Sequence, residues 1–453
     1  MTVVDLLSLL EAKGISLALN GDQLAVRGDK KALADAGLVD LLRQKKAELI
    51  AFLQQGGQTT GLGGRVAVPP NGIPSDGSAE RITPEMVTLA ALTQDEIDAL
   101  VAQVAGGTPN IQDIYPLAPL QEGMLFHHLV DPEHDAYVEA GLIAAPSRER
   151  LDSLLAAIQR VIDRHDILRT SLVWQGVPEP LQVVSRQARL AIEEIALDPS
   201  QGEAAAQLEA RLDPRNTRFD LTQAPLIRAW VAEDARNGRW LLRILSHHLV
   251  LDHTTQDLLV EEAALIEAGR ASELPAAVPF RNFVAQARLG VSEAEHEAFF
   301  TQMLGDIDEP TAPFGLLDVQ GDGSEIEEAE HRVAPELAAA IRHHCRRLGV
   351  SAASLMHLAW SLVLARTTGR EDVVFGTVLF GRMQGGEGAD RVMGMFINTL
   401  PVRFSVDGSG VEAALRQTHA RLAQLLRHEH APLSLAQRCS AVEAPAPLFT
   451  ALL

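Results

Sequence analysis

The residues with the clearest chemical capacity stand together in Ser246-His247-His248-Leu249-Val250-Leu251-Asp252-His253. The stretch from Leu241 to Val250 is β-compatible and mostly apolar, so the histidine pair emerges where a strand leaves a core. Adjacent side chains on a strand face opposite sides, and one imidazole can therefore point into a cavity while its neighbour packs behind it. A neutral imidazole near pH 7 accepts a proton or hydrogen-bonds an amine. Asp252 can hold a turn or pair with an arginine, which would orient the loop carrying the imidazoles. Two further pairs, His127-His128 and His343-His344, show that pairing alone decides nothing. The second of these lies in the Arg-rich run IRHHCRR and is expected at the surface. A metal set drawn from His247 or His248 with Asp252 and His253 lacks a well-separated further ligand, and no metal is expected. On the residues alone, solvated or core histidines and an acid–base centre both remain readings of His247-His248.

The elements that must position this pair belong to a long chain. At 453 residues, with 47% hydrophobic and 22% charged residues, it should form two or three globular units. A net charge of −21 disfavours a nucleic-acid partner, whose phosphates would be repelled. No apolar run is long enough to span a bilayer, and the N-terminus lacks the pattern of a signal peptide. Cys345 and Cys439 are too few for a disulfide framework, which fits a reducing cytoplasm.

Residues 3–13 place Val3, Leu6, Leu7 and Leu10 at helical spacing, with Gly14 as a stop. ISLAL and QLAVR alternate around Asn20-Gly21, a strong hairpin signal, and a second helical stretch runs over about 31–53. Residues 1–55 thus read as a small α+β module. It holds as many acidic as basic residues, so the acidic excess lies downstream. Residues 56–92 are rich in Gly, Thr, Pro and Ser and read as a flexible linker. Thr93 is a helix cap candidate. From Asp113 onward helical and strand-like stretches alternate, as in an α/β domain with long crossovers.

Six segments in order then resemble the motifs of nonribosomal peptide synthetase condensation domains. They are DIYPLAPLQEGMLFHHL (113–129), RHDILRT (164–170), SHHLVLDHTT (246–255), FRNFVAQAR (280–288), MGMFINTLPVR (393–403) and HEHAPLSLAQ (428–437), with PLFTALL opening a further one. The resemblance implies two chloramphenicol-acetyltransferase-like halves in a V, 93–285 and 286–453, the second stopping short of the family's full extent. It implies a donor carrier presenting an acyl or peptidyl thioester and an acceptor carrier presenting an aminoacyl thioester. Both use phosphopantetheine arms, and no cofactor is bound by the chain itself. Carried over by position, His248 is the catalytic candidate, with His247 and Asp252 as supports. Asp252 should pair with Arg382, while Arg164, Arg169 and Asn398 should serve the structure.

His253 replaces the family's glycine after the aspartate; its bulky imidazole should alter the loop or the cavity floor, and it joins His248, His247 and Asp252 among the catalytic candidates. It raises two alternatives to plain condensation: dual epimerisation and condensation, or modification of the incorporated residue such as dehydration. The dual branch carries an extra histidine motif that His127-His128-Leu129-Val130-Asp131-Pro132-Glu133-His134-Asp135 matches, with His134 in place of glycine. The N-terminal module resembles docking domains of the TubC kind, which bind the C-terminal peptide of an upstream subunit. Arg27, Lys30 and Lys31 would meet an acidic tail. Two rivals are a non-catalytic docking and recruitment module and a free-standing acyltransferase; the docking module argues against the latter.

Overall fold

Strands β1 (Ser16–Asn20) and β2 (Gln23–Arg27) pair antiparallel, with Asn20 opposite Gln23 and Ser16 opposite Arg27, so the chain reverses where the alternating pattern breaks. They belong to the first of two units, 1–65 and 66–453. The computed structural model describes residues 16–20, 23–27, 45–46, 66–317, 326–382 and 391–453. Lys30, Lys31 and the two helices expected around the hairpin lie outside these residues, apart from Lys45 and Lys46.

The second unit begins with a correction. Residues 66–92, expected as linker on their Pro and Gly content, are packed: Ile73, Ile82, Val87 and Leu92 are buried with Ile97, Leu100, Ile111 and Ile114. Arg281 ties the segment down, donating to the Pro69 carbonyl and the Thr88 hydroxyl while forming a buried pair with Asp113 at 2.7 Å. Four well-spaced apolar residues here bury enough surface to order a stretch whose composition suggests none.

From there the chain runs α1 (Gln94–Gln103), β3 (Ile111–Pro116), α2 (Pro119–Val130), β4 (Val138–Ala145), α3 (Arg148–Arg164), β5 (Thr170–Val173), β6 (Leu181–Ser185), β7 (Ala191–Glu194), α4 (Ala204–Arg211), β8 (Ile227–Asp234), β9 (Arg239–His247), α5 (His253–Glu267) and α6 (Arg281–Leu289). Thr93 closes a capping box with Glu96 at the start of α1. After α6 come α7 (Glu293–Leu304), α8 (Pro335–Leu348), α9 (Ala352–Thr368), β10 (Asp372–Leu379), β11 (Asn398–Ser405), α10 (Val411–Leu426) and α11 (Leu433–Arg438).

The strands form a four-stranded sheet in the order β4-β9-β8-β7, a three-stranded sheet β3-β6-β5 and the antiparallel pair β10-β11. The α3 stripe of Leu151, Leu155, Ile158, Val161 and Ile162 is buried in the main core with Ala263 and Ile266 of α5 and with β8 and β9. A second core gathers Phe300 and Leu304 of α7 with Leu364 of α9, β10, β11, Leu422 and Leu425. Residues 392–396 leave the second half and bury Val392, Met393, Met395 and Phe396 in the first core. Gly394 permits this crossing, because a Cβ there would lie 2.2 Å from the Phe280 ring. Among the described residues no single helix is long and apolar enough to cross a membrane; α8 and α9 reach that length and composition only together, across a 108° bend. Cys345 and Cys439 are free.

Candidate active site

Strand β9 ends at His247, and α5 begins at His253, so the histidine pair and Asp252 occupy a strand–turn–helix junction. β9 pairs with β4 in a register that sets His247 opposite Val138 and Ser246 opposite Glu139. The His248 backbone N–H donates to the Tyr137 carbonyl at 2.9 Å and extends the ladder by one bond. Gln121, fully buried on α2, donates to the Leu249 carbonyl at 2.7 Å and holds the turn from the other side.

The two histidines then divide their roles by burial. His247 is fully buried. Its Nδ1 accepts from the Leu249 N–H at 3.0 Å, so the proton sits on Nε2, which donates to Asp135 at 3.1 Å. Burial holds the His247 pKa below the usual histidine value, against the pull of Asp135. His248 is 26% exposed; its Nδ1 donates to the Leu251 carbonyl at 3.1 Å and its Nε2 lies 2.7 Å from Glu139 Oε1. Burial depresses the His248 pKa, but the hydrogen bond and charge of Glu139 outweigh it, and the net shift is upward.

Asp252 caps α5 by accepting from the Thr255 N–H at 2.8 Å, and Arg382 donates to both its oxygens at 2.9 and 3.0 Å. Arg382 also stacks on Phe396 at 4.0 Å and donates to the Val392 carbonyl. Thr255 accepts from the Gly394 N–H at 2.9 Å. The aspartate of the histidine motif thus fastens the crossing segment to the helix that follows the motif.

His253 stands apart from this group. As the first residue of α5 it projects outward, 83% exposed, and its nearest acidic partner is Asp257 at 3.7 Å. The expectation that its imidazole reshapes the cavity floor is therefore corrected: a residue just after the cap points away from the loop that the cap folds inward. Arg164 joins α3 to α5 through Glu262 at 3.0 Å and the Pro275 carbonyl at 2.8 Å. Arg169 is buried, donating to the Ile162 carbonyl, to Gln112 and to the Ser185 carbonyl, and Asn398 donates to the carbonyls of Glu429 and Ala431 at 2.8 Å. Arg27 ends β2, in the other unit.

Sequence reasoning missed Glu139 and Arg218, and named Asp135 only as the end of the second histidine motif, with no link to His247. Asp135, buried and held well below the usual carboxylate range by His128 and His247 despite its burial, joins the two histidine motifs through one oxygen. His128 Nδ1 lies 2.7 Å from that oxygen. Arg218 binds the carbonyls of His128, Asp131 and His134 and fixes the end of α2. The ligand atoms of His128, Asp135 and His247 lie within 4.8 Å of one another. The bond from the Leu249 N–H makes His247 Nε2 a proton donor, so Asp135 serves both histidines as a hydrogen-bond acceptor.

The half-buried His248 thus sits at a strand end of an α/β domain, next to Asp252, which Arg382 braces from the other half. Residues 111–453 match the condensation domain family model and residues 3–55 the TubC N-terminal docking domain, and the chain belongs to the condensation domain family. It is 53% identical over 86% of its length to malpinin synthetase of Mortierella alpina, and 50% identical over 82% to malpibaldin synthetase of the same organism. It spans 5% of the length of the first and 7% of the second. Its fold resembles the condensation domain of the monacolin K polyketide synthase MokA, with a TM-score of 0.58 at 20% identity, covering 76% of this chain and 81% of that one. The EpoB cyclization-docking bidomain from Sorangium cellulosum matches with a TM-score of 0.61 at 15% identity, covering 100% and 83%. These likenesses show the two-halved chloramphenicol-acetyltransferase-like fold.

Proposed function

We propose that residues 66–453 join a donor acyl or peptidyl thioester to an acceptor aminoacyl thioester, and that His248 handles the amine proton. The observation that carries this reading is the anchoring of His248 Nδ1 on the Leu251 carbonyl, which leaves Nε2 as the nitrogen that exchanges a proton. As the acceptor nitrogen bonds to the donor carbonyl carbon, its proton passes to Nε2. Collapse of the tetrahedral adduct breaks the C–S bond, and the departing thiolate takes that proton. Because a thioester is already activated, holding both substrates in line supplies much of the acceleration. His247, Asp252 and Arg382 act as supports. The intact pair of Asp252 and Arg382 favours an enzyme over a non-catalytic recruitment module.

The substrates come on phosphopantetheine arms of partner carrier domains, the acceptor from a downstream domain and the donor from an upstream subunit of a cytoplasmic synthetase. Residues 3–55 receive the C-terminal peptide of that upstream protein. The pair β1-β2, two strands among the described residues, suits strand addition, and Arg27 with Lys30 and Lys31 suits an acidic tail. Titrating the full chain with the cognate acidic C-terminal peptide should give saturable binding that weakens with salt; absence of binding opposes this assignment.

A second reading, that the site also inverts the donor α-carbon, is favoured by the link from His128 through Asp135 to His247. With Nδ1 held by Asp135, His128 has Nε2 as its nitrogen for α-proton abstraction. His253, the feature that first suggested residue modification, is outside the site. In an assay with two loaded carriers, His248→Ala should lower amide formation by about 100-fold or more while the fold persists. Undiminished product from the folded variant would refute the reading. Chiral analysis of the wild-type product decides the second reading: an inverted donor residue supports it, a retained one opposes it.

A further inference from the structure

The contact between His248 and Glu139 raises a difficulty for the reaction just described, and its resolution rests on His248 being the group that handles the proton. Both ring nitrogens of His248 face oxygen acceptors, the Leu251 carbonyl at 3.1 Å and Glu139 at 2.7 Å. With the Leu251 carbonyl on Nδ1 and the Glu139 carboxylate 2.7 Å from Nε2, the surroundings of the ring favour the imidazolium. In this form it cannot take a proton from an amine. Glu139 does not reach the site by chance. It lies on β4 at the position paired with Ser246, and Gln256 of α5 donates to its second oxygen. Its side chain is only 36% exposed.

We propose that Glu139 is a positioning residue that keeps His248 charged and oriented in the resting enzyme and yields its place at Nε2 to the incoming acceptor amine. The other groups acting on His248 do not substitute for it. Asp252 is already neutralised by Arg382, His247 is buried and bonded to Asp135, and Gln256 is uncharged. When the amine displaces the carboxylate, the imidazolium loses the anion that stabilises it and releases its Nε2 proton to solvent. The neutral ring then accepts one proton from the amine and returns it to the thiolate, so the proton count closes. In this scheme the base forms only when an acceptor is present. The resting enzyme thus presents a charged imidazolium, and not a free base, to a donor thioester that has arrived first.

The test is the titration of His248 in the full chain, followed by NMR of isotope-labelled histidine and assigned with His248→Gln. Glu139→Gln keeps the shape and an acceptor oxygen but removes the charge. The His248 midpoint should move to lower pH, and Glu139→Asp should retain a higher midpoint than Glu139→Gln. With loaded carriers the acidic limb of the rate profile should move the same way. Near about pH 6, the rate of Glu139→Gln relative to its own plateau should rise about threefold over wild type. A residue that only supports the fold would alter stability and leave the midpoint alone. An unchanged midpoint, or a limb displaced to higher pH, overturns the inference and leaves the role of His248 standing. An active His248→Ala overturns that role and leaves the titration readable by itself.

Discussion

The two halves of the second unit each bury a group of histidines, and the groups behave in opposite ways. In the first half His128, His247 and His248 are arranged around two carboxylates, Asp135 and Glu139, with distances of 2.7 to 3.1 Å. In the second half His296 and His428 bond to each other through their Nδ1 atoms at 3.0 Å, and His428 lies flat on Phe299 at 4.0 Å. His430 packs edge-on against Phe283, and among the described residues neither of its ring nitrogens has a hydrogen-bond partner. Burial pushes His428 and His430 down to about 4, whereas Glu139 outweighs burial and lifts His248. The same side chain thus holds its proton more tightly beside an acid and less tightly among phenylalanines. Glu429 stands 3.8 Å from His430 Nε2, but a ring held neutral gains no ion pair from it.

The contrast can be broken most severely at Asp252. Asp252→Ala should cost about 4 kcal/mol, because it removes the cap of α5 and the carboxylate that accepts two hydrogen bonds from Arg382. Urea unfolding measures this, and a loss below about 1 kcal/mol would contradict the bracing role. The second half should respond far less. His430→Phe should change stability by less than about 1.5 kcal/mol at neutral pH, since a neutral ring without hydrogen bonds is replaced by one of similar shape. Its acid response sharpens the comparison. A histidine with a folded pKa near 4 binds fewer protons than the unfolded chain between about pH 4 and 6.5, so stability falls as pH drops through that window. His430→Phe should remove about 1.4 kcal/mol per pH unit from that slope. An unchanged slope would mean that His430 is charged in the folded state.

The histidine motif, its place at a strand end and the partnership of Asp252 with Arg382 were legible because the spacing and order of motifs carry them. Glu139 was not, since it reaches the site only through the register of β4 on β9, and Asp135, legible as a motif residue, showed no link to His247. Val138-Glu139 reads as an ordinary strand fragment until Val138 is set opposite His247. Gln121 sat inside a recognised motif, yet its bond to Leu249 spans 128 residues. The order in residues 66–92 was hidden by prolines and glycines, because four separated apolar residues give no periodic pattern. His253 was read as facing the cavity from its motif position. Helix geometry just after a cap turns it outward instead.

On the function proposed, chemistry belongs to the acid-flanked His248 and not to the aromatic-flanked His430. Amide formation from two loaded carriers, measured in parallel for folded His248→Ala and His430→Phe, tests this directly. A loss of about 100-fold or more is expected in the first and a rate within about threefold of wild type in the second. Full activity in His248→Ala, or an equal loss in both variants, would contradict it.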